Sequence, residues 1–230
     1  MKLKATKTTM QYNSVAEKYS ECFLEYNRDS VEAYFRYFNM NLKKKKVLDL
    51  GCGSGYDLSR VKAKGALIYG IDGSKEMVKI ARQNNPDGVI EVGHFDEIPF
   101  ADNSFDLVIS KWALQTASLI DPIYEEIVRI LKRKGKMIIL ACHPIRQFIE
   151  KKKQPKDYFK KEIVKSVFFD GQITALEPSH TMNEYLSPFF FNHFILEAFE
   201  EGFDLAAEKV EGDIYPSYFI IKASLKTVIS

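Results

Sequence analysis

The sequence predicts an α/β fold, a mostly parallel sheet with helices on both faces. Three observations predict it. Short apolar segments alternate with helix-spaced segments at the interval of βαβ units. The apolar segments, such as residues 47–50 and 137–141, are near-continuous runs, as strands covered on both faces are. Stop signals at Gly65, Pro86 and Gly135 end the helical segments between them.

Composition fits one domain over residues 1–230. Hydrophobic residues make up 46% and charged residues 28%, close to soluble globular averages, which excludes a disordered chain, a collagen-like repeat and a disulfide-dense module. Lys plus Arg number 33 against 31 for Asp plus Glu, and a net charge of +2 demands no polyanionic partner. The three cysteines, Cys22, Cys52 and Cys142, are scattered without CxxC spacing, so neither a disulfide framework nor a metal site is expected. The first dozen residues carry lysines and no apolar stretch, and no run of ~18 apolar residues exists, so neither a signal peptide nor a membrane span is expected. A reduced, cytoplasmic setting follows from these readings.

In chain order, Ser14 and Glu17 form a capping box that starts a helix running to about Glu25. A second helix begins near Asp29 or Ser30, with Val31, Tyr34, Phe35 and Phe38 on one face. These two helices, over 12–42, cap the sheet. Strand one is 47–50, followed by Gly51, Gly53 and Gly55 and a helix carrying Leu58 and Val61. Strand two is 67–71, ending in Asp72, and Ser74 can cap the next helix, with Met77, Ile80 and Ala81 on its apolar face. Strands three and four are 89–92 and 105–110. Asp121-Pro122 opens a helix with Ile123, Ile127, Ile130 and Leu131 inward, which Gly135 ends. Strand five is 137–141. Residues 144–187 break the alternation and read as an irregular lid over the top of the sheet. Phe191, Phe194, Ile195, Ala198 and Phe199 then fit a helix closing near Gly202, before two last strands at 204–210 and 218–225.

The strand-loop-helix around Gly51 carries the chemistry. Backbone in a glycine-rich loop at a helix N-terminus can approach a ligand closely. A dinucleotide fingerprint requires G-x-G-x-x-G, and its third glycine position is Tyr56 here. Asp49 precedes the loop; a carboxylate there repels a pyrophosphate and attracts an ammonium group. Asp72, at the tip of strand two, can accept both hydroxyls of a ribose. The implied ligand has an amino-acid end and a ribose and lacks phosphates, which describes S-adenosyl-L-methionine.

The run Val47-Leu48-Asp49-Leu50-Gly51-Cys52-Gly53-Ser54-Gly55, with Gly70-Ile71-Asp72-Gly73-Ser74, Ile98-Pro99-Phe100 and Asn103-Ser104-Phe105-Asp106, resembles the class I S-adenosylmethionine-dependent methyltransferases. The resemblance covers most of residues 12–142 and is nearest the small-molecule branch often called type 11. It implies a Rossmann-like sheet of seven strands with the last antiparallel, and a set of cofactor contacts. Asp49 would anchor the methionine end, with Gly51, Cys52 and Gly53 lining it. Asp72 and Gly73 would hold the ribose, and Met77 would pack on the adenine. The family's usual Gly-Asp-Ala-Glu reads Gly93-His94-Phe95-Asp96-Glu97 here, so His94, Phe95 and Asp96 are all candidates for the adenine contact. Tyr12 matches an aromatic that closes over the cofactor. Lys111 and Trp112 sit where the family touches cofactor and acceptor.

Each assignment has a plainer counterpart. Asp72 could merely cap the following helix, a role for which Ser74 competes. Cys52 reads as a small apolar filler, and Trp112 as core or as acceptor wall. His143 and His180 occupy positions common in this branch and could serve as a general base, or be hydrogen-bonded parts of the lid. Phe168, Phe169, Phe189, Phe190 and Phe191 fit an apolar acceptor or simple core packing. The reading is methyl transfer to a small-molecule acceptor by direct displacement. The alternatives are a nucleic-acid methyltransferase or a regulator that binds the cofactor without turnover. The first is disfavoured because Ser110-Lys111-Trp112-Ala113 stands where base-amino methylation needs an Asn/Asp-Pro-Pro-aromatic tetrad.

Overall fold

The computed structural model describes residues 12–19, 27–169, 171–205 and 212–227. A seven-stranded sheet runs in the order β3-β2-β1-β4-β5-β9-β8. Its members are β1 Lys46–Leu50, β2 Leu67–Asp72, β3 Val89–Val92, β4 Phe105–Lys111, β5 Leu131–Cys142, β8 Phe194–Gly202 and β9 Tyr218–Leu225. Strands β1 to β5 pair in parallel, and β9 is antiparallel to both β5 and β8. The order reverses between β1 and β4, which makes their carboxyl ends the switch point where ligands bind in open α/β sheets.

Both faces of the sheet are covered, as its apolar strands require. On β1, β4 and β5 consecutive residues divide between two cores. Leu48, Val108 and Ile139 face Ile123 and Ile127 of α4 (Asp121–Ile130). Val47, Leu107 and Ile138 share the other core with Tyr34 of α1 (Arg28–Arg36), Leu58 of α2 (Tyr56–Lys62) and Val78 of α3 (Lys75–Asn84). Each of these side chains is essentially shut off from water, worth about 1.5–3 kcal/mol apiece in transfer terms.

Three expectations fail. The helix from Asp121 ends at Ile130, and Leu131 to Gly135, expected to close it, already belong to β5. Residues 194–199 form strand, not helix. The spacing of Phe191, Phe194, Ile195, Ala198 and Phe199 fits a helix, but the same segment also alternates, with Ile195, Glu197, Phe199 and Glu201 outward. Pairing along the whole of β9 decides between the two periods, and the short helix α7 (Pro188–His193) ends before Phe194. The sixth strand therefore precedes the one expected at 204–210. Asp204 and Leu205 are not in a strand, and 206–210 lie outside the described residues. The first expected helix is helical at 16–19, and its end at Glu25 also lies outside them.

The segment 144–187 is more regular than its sequence implies. Helix α5 (Pro144–Arg146) runs on as a wider turn, Gln147–Lys151. An antiparallel hairpin follows, β6 (Ile163–Phe168) with β7 (Ile173–Pro178), then α6 (Met182–Tyr185). The inward face of the hairpin carries Ser166 and Glu177, polar residues that hide its alternation from a hydropathy reading. Phe190 belongs to the core, packed on Tyr124 and Phe194; Phe191 is exposed.

Asn85, just past α3, fastens the glycine loop from behind. Its amide donates to Gly55 O (3.0 Å) and Ala81 O (3.3 Å) and accepts from Ser59 Oγ (2.9 Å). A buried amide with these partners is costly to remove. Asn85→Ala is expected to destabilise the protein by about 1–3 kcal/mol, read from the midpoint of urea unfolding.

Candidate active site

The chain leaves β1 through three left-handed turns, Gly51 (φ 75°), Gly53 (φ 49°) and Gly55 (φ 80°). A side chain at Gly51 would stand 2.3 Å from Ala113 Cβ, and one at Gly53 would meet nothing within 4 Å. Gly53 thus borders open space, and the positive φ alone selects glycine there.

Four of the five N–H groups of this loop are already engaged. Gly51 N and Cys52 N donate to Ile71 O (2.8 and 3.0 Å), Gly53 N to Asp72 Oδ2 (2.9 Å) and Gly55 N to Cys52 O (2.9 Å). A phosphate would find these four donors taken. The free acceptors nearby are acidic. Asp49 is 2% exposed, and its Oδ1 has no partner among the described residues. Burial, then the neighbouring Asp57, raises its pKa well above the ordinary value, against the pull of Lys111. Asp57, in the first turn of α2, is paired with Lys111, and its Oδ2 is also without a partner among the described residues. The Lys111 ammonium lies 4.8 Å from the centre of the Tyr56 ring. Two carboxylates share one buried ammonium, which suits a cationic ligand group.

Asp72 clasps the loop to β2. Its Oδ2 accepts from Gly53 N and its Oδ1 from Ser74 N (2.8 Å). Ser74, not Asp72, caps α3, its Oγ accepting from Met77 N (3.2 Å). Burial raises the Asp72 pKa, opposed by the two N–H groups and by His94. Gly73 is half-buried beside it and Met77 is buried beneath α3. Of the three adenine candidates, His94 and Asp96 are exposed, and the Phe95 ring lies against Gly51.

Aromatic residues close the far side. Tyr12 meets Tyr19 edge to face at 5.7 Å, and Tyr19 meets Phe169 of the hairpin turn at 5.4 Å. Burial foremost raises both tyrosine pKa values, and the charges of Asp72 and Glu177 add to it. Trp112, at φ 55°, packs with Val31, Phe169 and Ile173, its indole Nε1 buried without a partner among the described residues.

The two histidines are tied into the lid. His143 Nδ1 accepts from Ile145 N (3.0 Å), and Nε2 is 2.7 Å from Glu201 Oε1. Burial lowers its pKa against the pull of Glu201. His180 Nε2 faces the Gln115 carbonyl (3.2 Å) and must carry the hydrogen there, and Nδ1 lies 3.4 Å from Glu184 Oε2. Burial would raise the Glu184 pKa, but His180, Lys161 and the Thr181 N–H hold it down at about 2. Both His143 ring nitrogens are engaged, while His180 Nδ1 is buried without a hydrogen-bond partner among the described residues, its nearest acid being Glu184.

Sequence reasoning missed Asp57, Gln115 and Glu177. Asp57 reads as an ordinary acid at a helix start, and Gln115 and Glu177 lie in segments without a motif. No group of His, Cys, Asp and Glu able to hold a metal occurs among the described residues, and none of their helices is long and apolar enough to cross a membrane.

Residues 48–139 match the family model described as methyltransferase domain. A demethylmenaquinone methyltransferase of Thermotoga maritima is 36% identical over 108 residues, 46% of this chain and 47% of that protein. The match thus spans about half of that curated relative. An uncharacterized protein of Methanocaldococcus jannaschii is 30% identical over 152 residues, 65% of this chain and 71% of that one. An S-adenosylmethionine-dependent methyltransferase of Mesorhizobium loti superposes with a TM-score of 0.69 at 21% identity, covering 85% of this chain and 97% of that one; at that identity the likeness speaks for the fold. The glycine loop, the paired acids and the domain match converge: residues 48–139 belong to the methyltransferase-domain family, and the chain is similar to S-adenosylmethionine-dependent methyltransferases.

Proposed function

We propose that this protein transfers the methyl group of S-adenosylmethionine to a small-molecule acceptor. The observation that carries the reading is the loop after β1, four of whose five N–H groups are engaged while buried acidic oxygens beside it lack partners among the described residues. That environment repels phosphate and accepts an α-ammonium group. Asp72, with one backbone donor on each oxygen, keeps lone pairs for a ribose diol.

When bound, the cofactor supplies a methyl group on a sulfonium, already a good leaving group. The chain's own work is orientation. Asp49 and Asp57 attract the cationic end, with Gly51, Cys52 and Gly53 alongside. Asp72 and Gly73 hold the sugar; Met77, Phe95 and the neighbouring His94 and Asp96 form the adenine end. Tyr12 and Trp112 cover the reacting centre and exclude water. Lys111 fixes Asp57 rather than touching the donor. His143 and His180 serve to hold the lid in register. The small-molecule acceptor is supported by the Thermotoga maritima relative, whose name gives demethylmenaquinone as its substrate. A single domain over 1–230 with a lid at 144–187, and a reduced cytoplasmic setting, belong to the same proposal.

Asp72→Ala is expected to weaken S-adenosylmethionine binding by about 1.5–3 kcal/mol while the protein stays folded. Unchanged affinity by titration calorimetry would remove the ribose role.

Asp49 gives a second test. Its pKa is higher folded than unfolded, so the ligand-free protein is favoured at low pH and loses that stability as pH rises through the raised value. Asp49→Asn abolishes the titration. Without ligand, this variant is expected to be at least as stable as the parent protein at neutral pH, with a flatter stability profile between mildly acidic and neutral pH in urea unfolding. Its cofactor affinity should fall about tenfold or more.

A further inference from the structure

The lid hairpin carries a buried charge that the methyl-donor site does not use. Glu177, on the inward face of β7, is 1% exposed. Its Oε1 is surrounded by donors. Lys151 Nζ lies at 2.8 Å, Gln147 Nε2 at 3.4 Å, and the Ser166 hydroxyl bonds it as well. Lys151 also donates to Ser166 Oγ at 2.7 Å. The other oxygen, Oε2, is buried with no partner among the described residues. Burial alone would raise the pKa of this carboxyl; Lys151 first, then Ser166 and Gln147, outweigh it, so the group is an anion.

Its position is fixed from three sides. The hairpin turn reaches the donor site through Phe169, which packs with Val31, Tyr19 and Trp112. The end of β7 is tied to the turn after β4 by the bond from His180 to the Gln115 carbonyl. The Glu177 charge and the Asp72 charge act on the same two hydroxyls, Tyr12 and Tyr19. Ile173, at the start of the same strand as Glu177, packs with Phe169 and Val31, with Trp112 against them, which ties β7 to the aromatic cover. In the same region Gln115 Oε1 is buried without a partner among the described residues.

An anionic oxygen kept dry, with every donor gathered on its twin, is expensive unless a ligand completes it. An apolar or anionic acceptor would leave it unpaired. We propose that Glu177 Oε2 is the acceptor-recognition group of this enzyme, taking a hydrogen bond from a hydroxyl or amine of the methyl acceptor. This rests on the methyl-transfer reading above and adds the class of acceptor to it. Lys151, Ser166 and Gln147 are positioning residues that hold the carboxylate with one oxygen free.

The test uses the full chain with methyl-labelled S-adenosylmethionine and fractionated cell extract, the labelled product being identified by mass spectrometry. The acceptor, read from the labelled product less its added methyl group, is expected to carry a hydroxyl or amine. Glu177→Gln keeps the shape but can turn a donor toward the acceptor. It should raise KM for that compound about tenfold or more, move kcat much less, and leave S-adenosylhomocysteine affinity by calorimetry unchanged. Should the single variant fold poorly with Lys151 left unpaired, the double variant Lys151→Met, Glu177→Leu removes the pair as a unit and should show the same KM defect. An acceptor without a donor hydrogen, an unchanged KM, or a KM defect matched by lost S-adenosylhomocysteine affinity would each overturn the assignment. Donor binding with no labelled product from any fraction would instead overturn the methyl-transfer reading, and the assignment with it.

Discussion

The bond from the Gly53 N–H to the Asp72 carboxylate organises the rest of the site. It joins the tips of β1 and β2, and with the two bonds to the Ile71 carbonyl it orients the loop. The first consequence is electrostatic. Most glycine loops at helix starts present N–H groups and so favour anions. Here those groups are turned inward onto the protein's own acceptors, and the surroundings become acidic. A family of loops that look alike in sequence can thus have opposite charge preferences, according to where a handful of backbone hydrogens point.

The second consequence is a balance between folding and binding. Asp49 and Asp57 are buried against a single ammonium, that of Lys111, and each retains an oxygen without a partner among the described residues. Such an arrangement costs stability in the absence of ligand and returns it on binding. The hairpin repeats the pattern on a smaller scale, with a full complement of donors on Glu177 Oε1 and none among the described residues on Oε2. A surface cleft lined by Tyr158, Lys161, His180 and Glu184 includes no residue of the glycine loop.

The five parallel strands and their helices were legible because each repeats one pattern, an apolar run, a turn and an amphipathic helix. The cofactor end was legible for a related reason. The residues proposed for it, Asp49, Gly53 and Asp72, stand at or just past the tips of β1 and β2, so the sequence marks them by position along a regular unit. Past Cys142 that regularity stops. The segment 194–199 satisfies two periods at once, and only β9, further along the chain, selects one. The hairpin escapes notice because Ser166 and Glu177 occupy inward positions where a hydropathy pattern demands apolar side chains. The surroundings of His143 and His180 could not be read from sequence, since the groups beside their ring nitrogens come from Glu201 and from Gln115 and Glu184. Long-range pairing of that sort has no local signature.

One feature of the sheet bears on how this molecule coexists with its neighbours in a crowded solution. Strand β8 ends the sheet, and a bare edge invites another chain to add a strand. This margin is fringed with carboxylates already committed elsewhere, Glu197 to Lys136 and Glu200 to Arg36 and Tyr37, while a register shift between Leu196 and Ala198 spoils its straightness. The register shift leaves an intruding strand no straight ladder to extend, which disfavours fibrillar association on the side of the molecule farthest in the sheet from β3.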